Sequence, residues 1–246
     1  MGTLDGKVAI VTGGSRGIGR AIAETLGAQG AAVVVGYTRQ RNAAEEVVHT
    51  IEAAGGKARA EQADMAVPGD IRRLFLHTQD AYGQLDILIN NAGVALFKPL
   101  VDITAADYDH LFNVNVRGVF LALQEAARVM ADGGRIINLS SGVTQGAGPT
   151  STLYAGTKGA IEQFTVAAAK ELGKRGITVN TVSPGMTETD MLREAVPAAR
   201  QEAMLQTAPL GRLGQPSDIA DIVAFLVSDA GRWVTAQNIR ATGGVG

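Results

Sequence analysis

The sequence predicts a doubly wound α/β fold, in which a parallel sheet of seven strands is covered by helices on both faces. Short runs rich in β-branched residues alternate along the chain with stretches of helical spacing. Nearly all residues of these runs are apolar, which is typical of strands buried on both faces. A glycine-rich turn follows the first run and leads into a helical pattern.

The predicted strands are short, and the stretches between them are long enough for a helix. The strands span residues 7–12, 32–36, 57–61, 85–89, 135–139 and 177–182, with a weaker seventh at 237–241. Apolar residues at helical spacing lie between them, for example Ile18, Ile22 and Leu26. A second such pattern contains Ile161, Phe164, Ala168 and Leu172. Because ligands of such sheets bind beside the carboxyl ends of the strands, we expect the functional residues in the loops that follow them.

The chain of 246 residues is predicted to form a single domain, 1–246, because no linker, charge run or internal repeat divides it. The least regular stretch lies at about 185–214, after the sixth predicted strand. A long connection at the carboxyl end of a strand favours a segment that closes over a substrate. The alternative interpretation is an ordinary surface excursion that carries a small helix.

Composition excludes several classes of protein. The formal net charge of -2 and the content of one Trp, four Tyr and six Phe argue against nucleic-acid binding. The absence of cysteine excludes thiol catalysis, disulfides and iron–sulfur ligation, and fits a reducing compartment. His49, His77 and His110 match no metal-binding pattern, so no metal site is predicted. The N-terminus lacks an apolar leader and no apolar run is long enough to span a membrane, so we expect a cytoplasmic protein without a membrane partner.

The glycine-rich turn after the first predicted strand is expected to bind the pyrophosphate of a dinucleotide. Positions without a Cβ allow a tight turn from strand to helix, and the first helical residues offer free N–H groups to an anion. The residues assigned to this contact are Gly13, Ser15, Arg16, Gly17, Ile18 and Gly19. Their spacing departs from the common GxGxxG pattern, and a purely structural turn is the alternative. The position after the first strand of an α/β pattern favours a Rossmann-type nucleotide site.

The end of the second predicted strand favours NADPH over NADH. The residues at the end of this strand, Gly36-Tyr37-Thr38-Arg39, include no carboxylate, whereas an NAD enzyme commonly presents Asp or Glu to the ribose here. Arg16 and Arg39 can instead bracket a 2′-phosphate, because guanidinium groups pair well with this dianion. The alternative is that Arg39 faces solvent ahead of the next helix.

Tyr154 and Lys158 form a candidate acid/base pair at the start of a predicted long helix. Residues four positions apart share one face of a helix, which brings the phenol near the ammonium. A neighbouring cation favours the phenolate, so the pair can exchange a proton with a carbonyl or an alcohol. Because the Tyr-xxx-Lys pattern alone also arises by chance, the neighbouring motifs must show whether this pair is catalytic.

Ser141 supplies that context, because it follows an apolar strand that should end at the ligand edge of the sheet. A hydroxyl there can donate a hydrogen bond to a substrate carbonyl beside the tyrosine. The alternative is a serine that merely begins a loop. No histidine base and no GxSxG elbow accompany it, so we do not interpret it as a hydrolase nucleophile.

Together these motifs resemble the short-chain dehydrogenases/reductases over nearly the whole chain. The matching positions, in the family's order, are Thr12-Gly13-xxx-Gly17-x-Gly19, Asn90-Asn91-Ala92-Gly93, Asn115, Ser141, Tyr154-xxx-Lys158 and Pro184-Gly185. The resemblance implies that Ser141 orients the carbonyl, that Tyr154 donates the proton, and that Lys158 lowers the tyrosine pKa and holds the nicotinamide ribose. It also implies a water chain at Asn115 and an adenine contact from Asp64. Further cofactor contacts implied by it are Met65, Asn91, Ala92, Gly93, Pro184, Gly185, Thr187 and Thr189.

The substrate is expected to be a small or medium ketone or aldehyde. Residues 176–180 and 183–191 are similar to those of 3-oxoacyl-(acyl carrier protein) reductases, which dock an acidic carrier through basic residues. Many of these enzymes carry basic residues where this chain has 130–134, and only Arg175 keeps a basic character there. An acyl-carrier reductase is therefore the alternative, and a non-catalytic NADP-binding sensor or scaffold is a remote one.

The family resemblance also implies a homotetramer, whose contacts commonly involve the C-terminal end. That end departs from the family's pattern, since Ala241-Thr242-Gly243-Gly244 has Thr where Asp is frequent.

Overall fold

The computed structural model describes residues 2–196 and 208–245, and it confirms the predicted seven-stranded parallel sheet. The order across the sheet is β3-β2-β1-β4-β5-β6-β7, and every neighbouring pair is parallel. The strands are β1 (Val8–Val11), β2 (Ala32–Tyr37), β3 (Lys57–Gln62), β4 (Ile87–Asn90), β5 (Arg135–Leu139), β6 (Thr178–Pro184) and β7 (Asn238–Ala241).

Helices connect the strands and cover both faces of the sheet. Within the described residues they are α1 (Gly17–Ala28), α2 (Arg41–Ala53), α3 (Pro68–Tyr82), α4 (Ala105–Phe112), α5 (Gly118–Val129), α6 (Thr152–Leu172), α7 (Asp190–Ala195) and α8 (Pro216–Val227). A π-helical turn, Asn113–Arg117, joins α4 to α5. None of the helices in these ranges combines the length and hydropathy that a membrane span requires.

The core consists of two apolar layers on opposite faces of the sheet. One layer packs α1, α2 and α8 against residues such as Val33, Ile89 and Ile137. The other packs α3, α5 and α6 against their strand neighbours, including Ile10, Leu88 and Ile136. Alternate residues of the central strands thus face opposite layers, which explains why these strands are apolar along their whole length.

The sheet reverses its strand order between β1 and β4. From β1 the chain moves outward through β2 to β3, and it then returns to add β4 on the other side of β1. The connections after β1 and β4 therefore run to opposite faces and leave a crevice at the carboxyl ends of the strands. The glycine-rich turn after β1 and the residues after β4 lie at this crevice.

Several predicted boundaries differ from the structure. The first helix begins at Gly17, within the predicted glycine-rich turn. Strand β4 begins two residues later than predicted, at Ile87, because the side chain of Asp86 turns to accept a hydrogen bond from the Val8 N–H at 2.9 Å. Strand β6 extends to Pro184 and pairs there with Ala241.

The predicted substrate segment at about 185–214 contains α7 and a bridge between Thr187 and Gly214. Its central part, 197–207, lies outside the described residues. The assignment of this segment as a cover for the substrate stays a prediction.

Candidate active site

The glycine-rich turn is held by side chains from the loops that follow β1 and β4. The Thr12 hydroxyl accepts hydrogen bonds from the N–H groups of Asn91 and Ala92, at 3.0 and 3.1 Å. The Asn91 amide donates to the carbonyl oxygens of Thr12 and Gly13, at 2.9 and 3.0 Å. Two neighbouring strand ends are thereby tied into one rigid edge. Asn91 thus holds the glycine-rich turn in place, a role that the resemblance alone did not indicate.

Three glycines of this turn are required by geometry. Gly13 and Gly17 have φ values of +62° and +55°, which L-residues with a Cβ rarely adopt. A Cβ on Gly19 would overlap the Gly13 carbonyl oxygen and the Asn91 amide. Glycine at these positions therefore brings the N-terminus of α1 close to the edge of the sheet. The N-cap residue Arg16 makes no side-chain capping hydrogen bond in the described part of the chain, and the N–H groups of an uncapped first turn can bind an anion.

An open pocket beside this turn brings together the two arginines that the sequence singled out. Arg16 and Arg39 both line it, together with Ser15, Gly17 and other residues of the α1 and α2 starts. Such a pair of guanidinium groups suits a phosphate dianion. Arg16 and Arg39 thus line the same pocket, and their assignment to a 2′-phosphate stays a prediction.

Tyr37 and Thr38 do not line this pocket. The Tyr37 side chain is buried in the core layer of α1, α2 and α8. The Thr38 hydroxyl donates to the Ala63 carbonyl oxygen at 3.3 Å and so ties β2 to the end of β3. Their assignment as cofactor contacts finds no support in side-chain position, because β2 continues one residue beyond the predicted end and turns Tyr37 inward.

Asp64 and Met65 lie in the loop after β3, and neither residue lines the pocket of Arg16 and Arg39. The Asp64 carboxylate accepts a hydrogen bond from the Ala66 N–H at 2.9 Å, which shapes this loop. Met65 is buried against Gly118, where a Cβ would meet the Met65 backbone. These contacts are structural, and the predicted adenine contact of Asp64 stays a prediction.

Helix α6 carries Tyr154 and Lys158 on one face, one turn apart, as their spacing predicted. The Lys158 ammonium lies 5.7 Å from the centroid of the Tyr154 ring. The Phe97 ring packs against the same tyrosine, with ring centroids 5.6 Å apart and a tilt of 60°. Tyr154 is thus held between an aromatic ring and a cation at the wall of a cleft.

Ser141 meets Tyr154 from the end of β5. The Ser141 side chain beside the phenol lowers the pKa of Tyr154, but burial raises that pKa by more. The Ser141 Oγ also accepts a hydrogen bond from the Val143 N–H at 3.2 Å, at the start of a short 3-10 turn. The serine is therefore fixed in position, and the phenol is held in its protonated form at neutral pH.

Lys158 is buried, and its ammonium donates to the Leu139 carbonyl oxygen at 2.8 Å. Burial lowers the pKa of Lys158 to about 8. The net shift of the Tyr154 pKa is upward, because desolvation of the phenol outweighs the effect of Ser141. Lys158, whose ammonium is directed at a backbone carbonyl, is not a cause of this shift, so the expectation that it lowers the pKa of Tyr154 stays a prediction.

Asn115 lies in the π-helical turn and is fully buried. Its side-chain amide accepts from the Val94 N–H at 2.9 Å and donates to the Val94 carbonyl oxygen at 2.8 Å. It also donates to the Thr157 hydroxyl at 3.2 Å. A Cβ on Gly93 would lie 3.4 Å from Asn115 Oδ1 and 3.6 Å from Lys158 Nζ, so the glycine backbone fits between them. The loop after β4 is thus joined to α6 through Asn115.

A cleft of about 320 Å³ opens above these residues. It collects Ser141, Tyr154 and Lys158 with the predicted cofactor residues Ile18, Asn91, Gly93, Pro184, Gly185, Thr187 and Thr189. The glycine-rich turn separates this cleft from the pocket of Arg16 and Arg39. An elongated ligand with an anionic group at one end and a reactive ring at the other therefore matches the arrangement.

Sequence reasoning missed most of the apolar lining of the cleft and one positioning contact. The missed lining residues include Ala95, Phe97, Val143, Met191, Leu192, Thr242 and Val245. Nearly all lie in segments that follow strands, so their place after β4, β5, β6 and β7 is the signal that could have found them. In addition, the Ser140 hydroxyl donates to the Glu162 carboxylate at 2.8 Å, which links the end of β5 to α6.

Comparison with known proteins gives consistent relatives. A family model described as enoyl-(acyl carrier protein) reductase matches residues 13–246. An uncharacterized oxidoreductase of Methylorubrum extorquens is 48% identical over 247 residues, which cover 100% of both chains. Versicolorin reductase 1 of Aspergillus parasiticus is 44% identical and covers 98% of this chain and 97% of its own.

A solved structure also has the same fold as this chain. The crystal structure of an angucycline C-6 ketoreductase with bound NADP superposes with a TM-score of 0.93 and 43% identity. The match covers 99% of this chain and 96% of that chain.

Proposed function

The chain belongs to the short-chain dehydrogenase/reductase family, and from this membership we infer that it is an NADP-dependent oxidoreductase that reduces a ketone to an alcohol. The observation that carries this proposal is that Ser141, Tyr154 and Lys158 line one cleft, with Ser141 beside the Tyr154 phenol and the Lys158 ammonium 5.7 Å from the centroid of its ring. This arrangement suits protonation of a carbonyl oxygen.

The residues present fit the proposed cofactor. The crevice offers N–H groups of α1 for a pyrophosphate, a glycine backbone at position 93, and two arginines for a 2′-phosphate. We assign the pyrophosphate to residues 13–19, the 2′-phosphate to Arg16 and Arg39, and the nicotinamide end to Asn91, Gly93, Lys158 and Thr187. When bound, the reduced nicotinamide supplies the hydride.

Within this proposal, the side chains of the cleft handle the carbonyl oxygen and its proton. Ser141 and Tyr154 donate hydrogen bonds to the oxygen, which stabilises the negative charge that develops there. Tyr154 then gives up its proton to the oxygen, and the raised pKa of the phenol keeps that proton available at neutral pH. We assign the return of a proton to Lys158, whose pKa of about 8 permits exchange near neutrality, and to the water chain expected at Asn115.

A Tyr154→Phe variant tests this role. We expect kcat/KM for carbonyl reduction to fall by about 10²–10⁴-fold, because the general acid is lost. The affinity for NADPH should change little, since the ring and its contact with Phe97 remain. The matched control is Tyr108→Phe, which removes a hydroxyl from the exposed surface. Turnover retained in Tyr154→Phe would reject the assignment.

The double variant Arg16→Ala with Arg39→Ala tests the cofactor preference. We expect the affinity for NADPH to fall markedly and the affinity for NADH to change much less, because only the former carries the 2′-phosphate. Titration of each cofactor by fluorescence measures this. Unchanged NADPH affinity would show that the phosphate binds elsewhere.

For the substrate, we propose a ketone on a bulky apolar or aromatic body. Phe97, Val143, Met191 and Leu192 give the cleft an apolar lining, and the similar proteins include a versicolorin reductase and an angucycline ketoreductase. An acyl-carrier substrate is less favoured. Arg175, the basic residue expected to serve it, is already bound to Asp132 at 2.8 Å and to two backbone carbonyls.

A substrate panel separates these alternatives. NADPH oxidation is followed with tetralone, a straight-chain methyl ketone, a 3-oxoacyl thioester and an enoyl thioester. We expect the highest kcat/KM with the bicyclic ketone. A preference for either thioester would overturn the substrate proposal while leaving the cofactor assignment intact.

A further inference from the structure

Helix α7 contacts the glycine-rich turn directly. The Arg16 guanidinium lies 3.6 Å from the Asp190 carboxylate and 3.8 Å from the Glu194 carboxylate, both on α7. Thr189, which caps the start of α7, lies 3.2 Å from the position that a Cβ on Gly17 would occupy. An arginine assigned to the nucleotide thus already has two acidic partners from another element.

The two arginines of the pocket differ in this respect. Among the described residues, Arg39 forms no ion pair, whereas Arg16 forms two. The neighbouring cations are also engaged, since Arg20 pairs with Glu24 at 2.8 Å and Arg41 with Glu45 at 2.7 Å. The pocket therefore holds less free positive charge than its arginines suggest.

Asp190 itself lines the pocket with Arg16 and Arg39. A phosphate dianion between these arginines would approach the Asp190 carboxylate and would share the Arg16 guanidinium with it. Like charges in this arrangement repel, and an engaged guanidinium offers fewer N–H groups. Both effects weaken the binding of the dianion.

We propose that Asp190 and Glu194 compete with the 2′-phosphate of the cofactor for Arg16, and so set the preference for NADPH over NADH below what the arginine pair alone would give. This inference rests on the proposed cofactor assignment. Asp190 and Glu194 are thus specificity-determining residues outside the glycine-rich turn. Met191 and Leu192 on the same helix line the cleft, so α7 borders both ends of the site.

The experiment measures binding of 2′,5′-ADP and 5′-AMP to the full chain by calorimetry. These probes differ by the 2′-phosphate alone. In the double variant Asp190→Asn with Glu194→Gln, we expect 2′,5′-ADP to bind about two- to five-fold tighter at low salt, as fits exposed ion pairs. The affinity for 5′-AMP should stay the same. The gain should fade at high salt, where exposed charges are screened.

Glu188→Gln is the matched control, because it removes one negative charge from the same segment without touching Arg16. It should leave the affinities for both probes nearly unchanged. A second control repeats the double variant on an Arg16→Ala background, where the gain should be clearly smaller, because the contested group is absent and only the direct repulsion remains.

The binding data distinguish competition for Arg16 from the alternatives. An unchanged or weaker affinity for 2′,5′-ADP in the double variant overturns the competition, and weaker binding would mean that the carboxylates hold Arg16 in place for the phosphate. A gain of the same size without Arg16 also overturns it, because direct repulsion by the carboxylates would then account for the whole effect. Failure of the cofactor assignment is distinct, because 2′,5′-ADP would then bind the Arg16→Ala, Arg39→Ala variant as it binds the unaltered chain.

Discussion

Lys158 lies beneath the cleft with its ammonium 2.8 Å from the Leu139 carbonyl oxygen, and its surroundings decide its chemistry. Desolvation disfavours the charged form, so the pKa falls from its ordinary value of 10.5 to about 8. The sequence pattern identified the residue and its spacing from Tyr154. It carried no information on the burial, which comes from strand β5 packing against α6.

This shift predicts a pH-dependent stability. Below pH ~8 the ammonium is charged in both states, and the folded state bears the full cost of burying it. Between pH ~8 and ~10.5 the folded state has released the proton while the unfolded state retains it, so stability rises with pH. Lys158→Met removes the buried charge. The free energy of unfolding of Lys158→Met should exceed that of the unaltered chain by most below pH ~8. This difference should shrink by roughly 3 kcal/mol as the pH approaches ~10.5.

Urea unfolding at several pH values measures this difference. Lys170→Met, which removes an exposed lysine from the same helix, controls for the loss of one positive charge. A difference between Lys158→Met and the unaltered chain that stays constant from pH ~7 to ~10 would contradict the lowered pKa.

At the scale of elements, the π-helical turn between α4 and α5 is a feature that periodicity did not predict. It places Asn115 inward, where both polar atoms of its amide bind the backbone of Val94. π-helical turns are rare overall, but those that occur are often found at functional sites. A single extra residue in the turn changes which side chains face the core, and the apolar pattern of the flanking helices hides this change.

Asn115→Ala should therefore destabilise the protein by about 1–3 kcal/mol, because it leaves the Val94 N–H and carbonyl groups without their partner. Thermal or urea unfolding measures the cost. Asn113→Ala, at a half-buried position of the same turn, is the control and should cost less. Equal losses in the two variants would show that the Asn115 amide has no special role in joining the loop after β4 to the turn.

At the scale of the whole molecule, the strand order brings together residues that are far apart in the chain. The cleft contains segments that follow β1, β4, β5, β6 and β7, so a ligand there contacts much of the sheet edge. The single-domain organisation and the homotetramer stay predictions. Trp233 is 95% exposed and Val101 is 91% exposed in this chain.

NADPH should stabilise the whole chain as one unit. With free NADPH at about 100 times its Kd, the free energy of unfolding should rise by about 2.7 kcal/mol, because the ligand binds the folded state alone. Calorimetric scans with and without NADPH measure this shift, and NADH at the same concentration should shift the transition less. Two separate transitions, of which only one responds to NADPH, would contradict a single cooperative domain.

The sequence by itself determined the parallel α/β fold, the glycine-rich turn, and the pairing of Tyr154 with Lys158. These features follow from short-range signals: the apolar pattern of each strand, the absence of a Cβ at Gly13, and a spacing of one helical turn. Ser141 was found for the same reason, because it directly follows a recognisable strand.

Only the tertiary structure decided the environment of these residues. The inward turn of Tyr37, the upward pKa shift of Tyr154, the acidic partners of Arg16 and the apolar lining from Phe97 to Val245 all depend on contacts between distant segments. Local patterns carry no record of such contacts, because burial and charge pairing are set by how the elements pack. The chemistry of the site was therefore predictable in kind from the sequence, whereas its electrostatics required the fold.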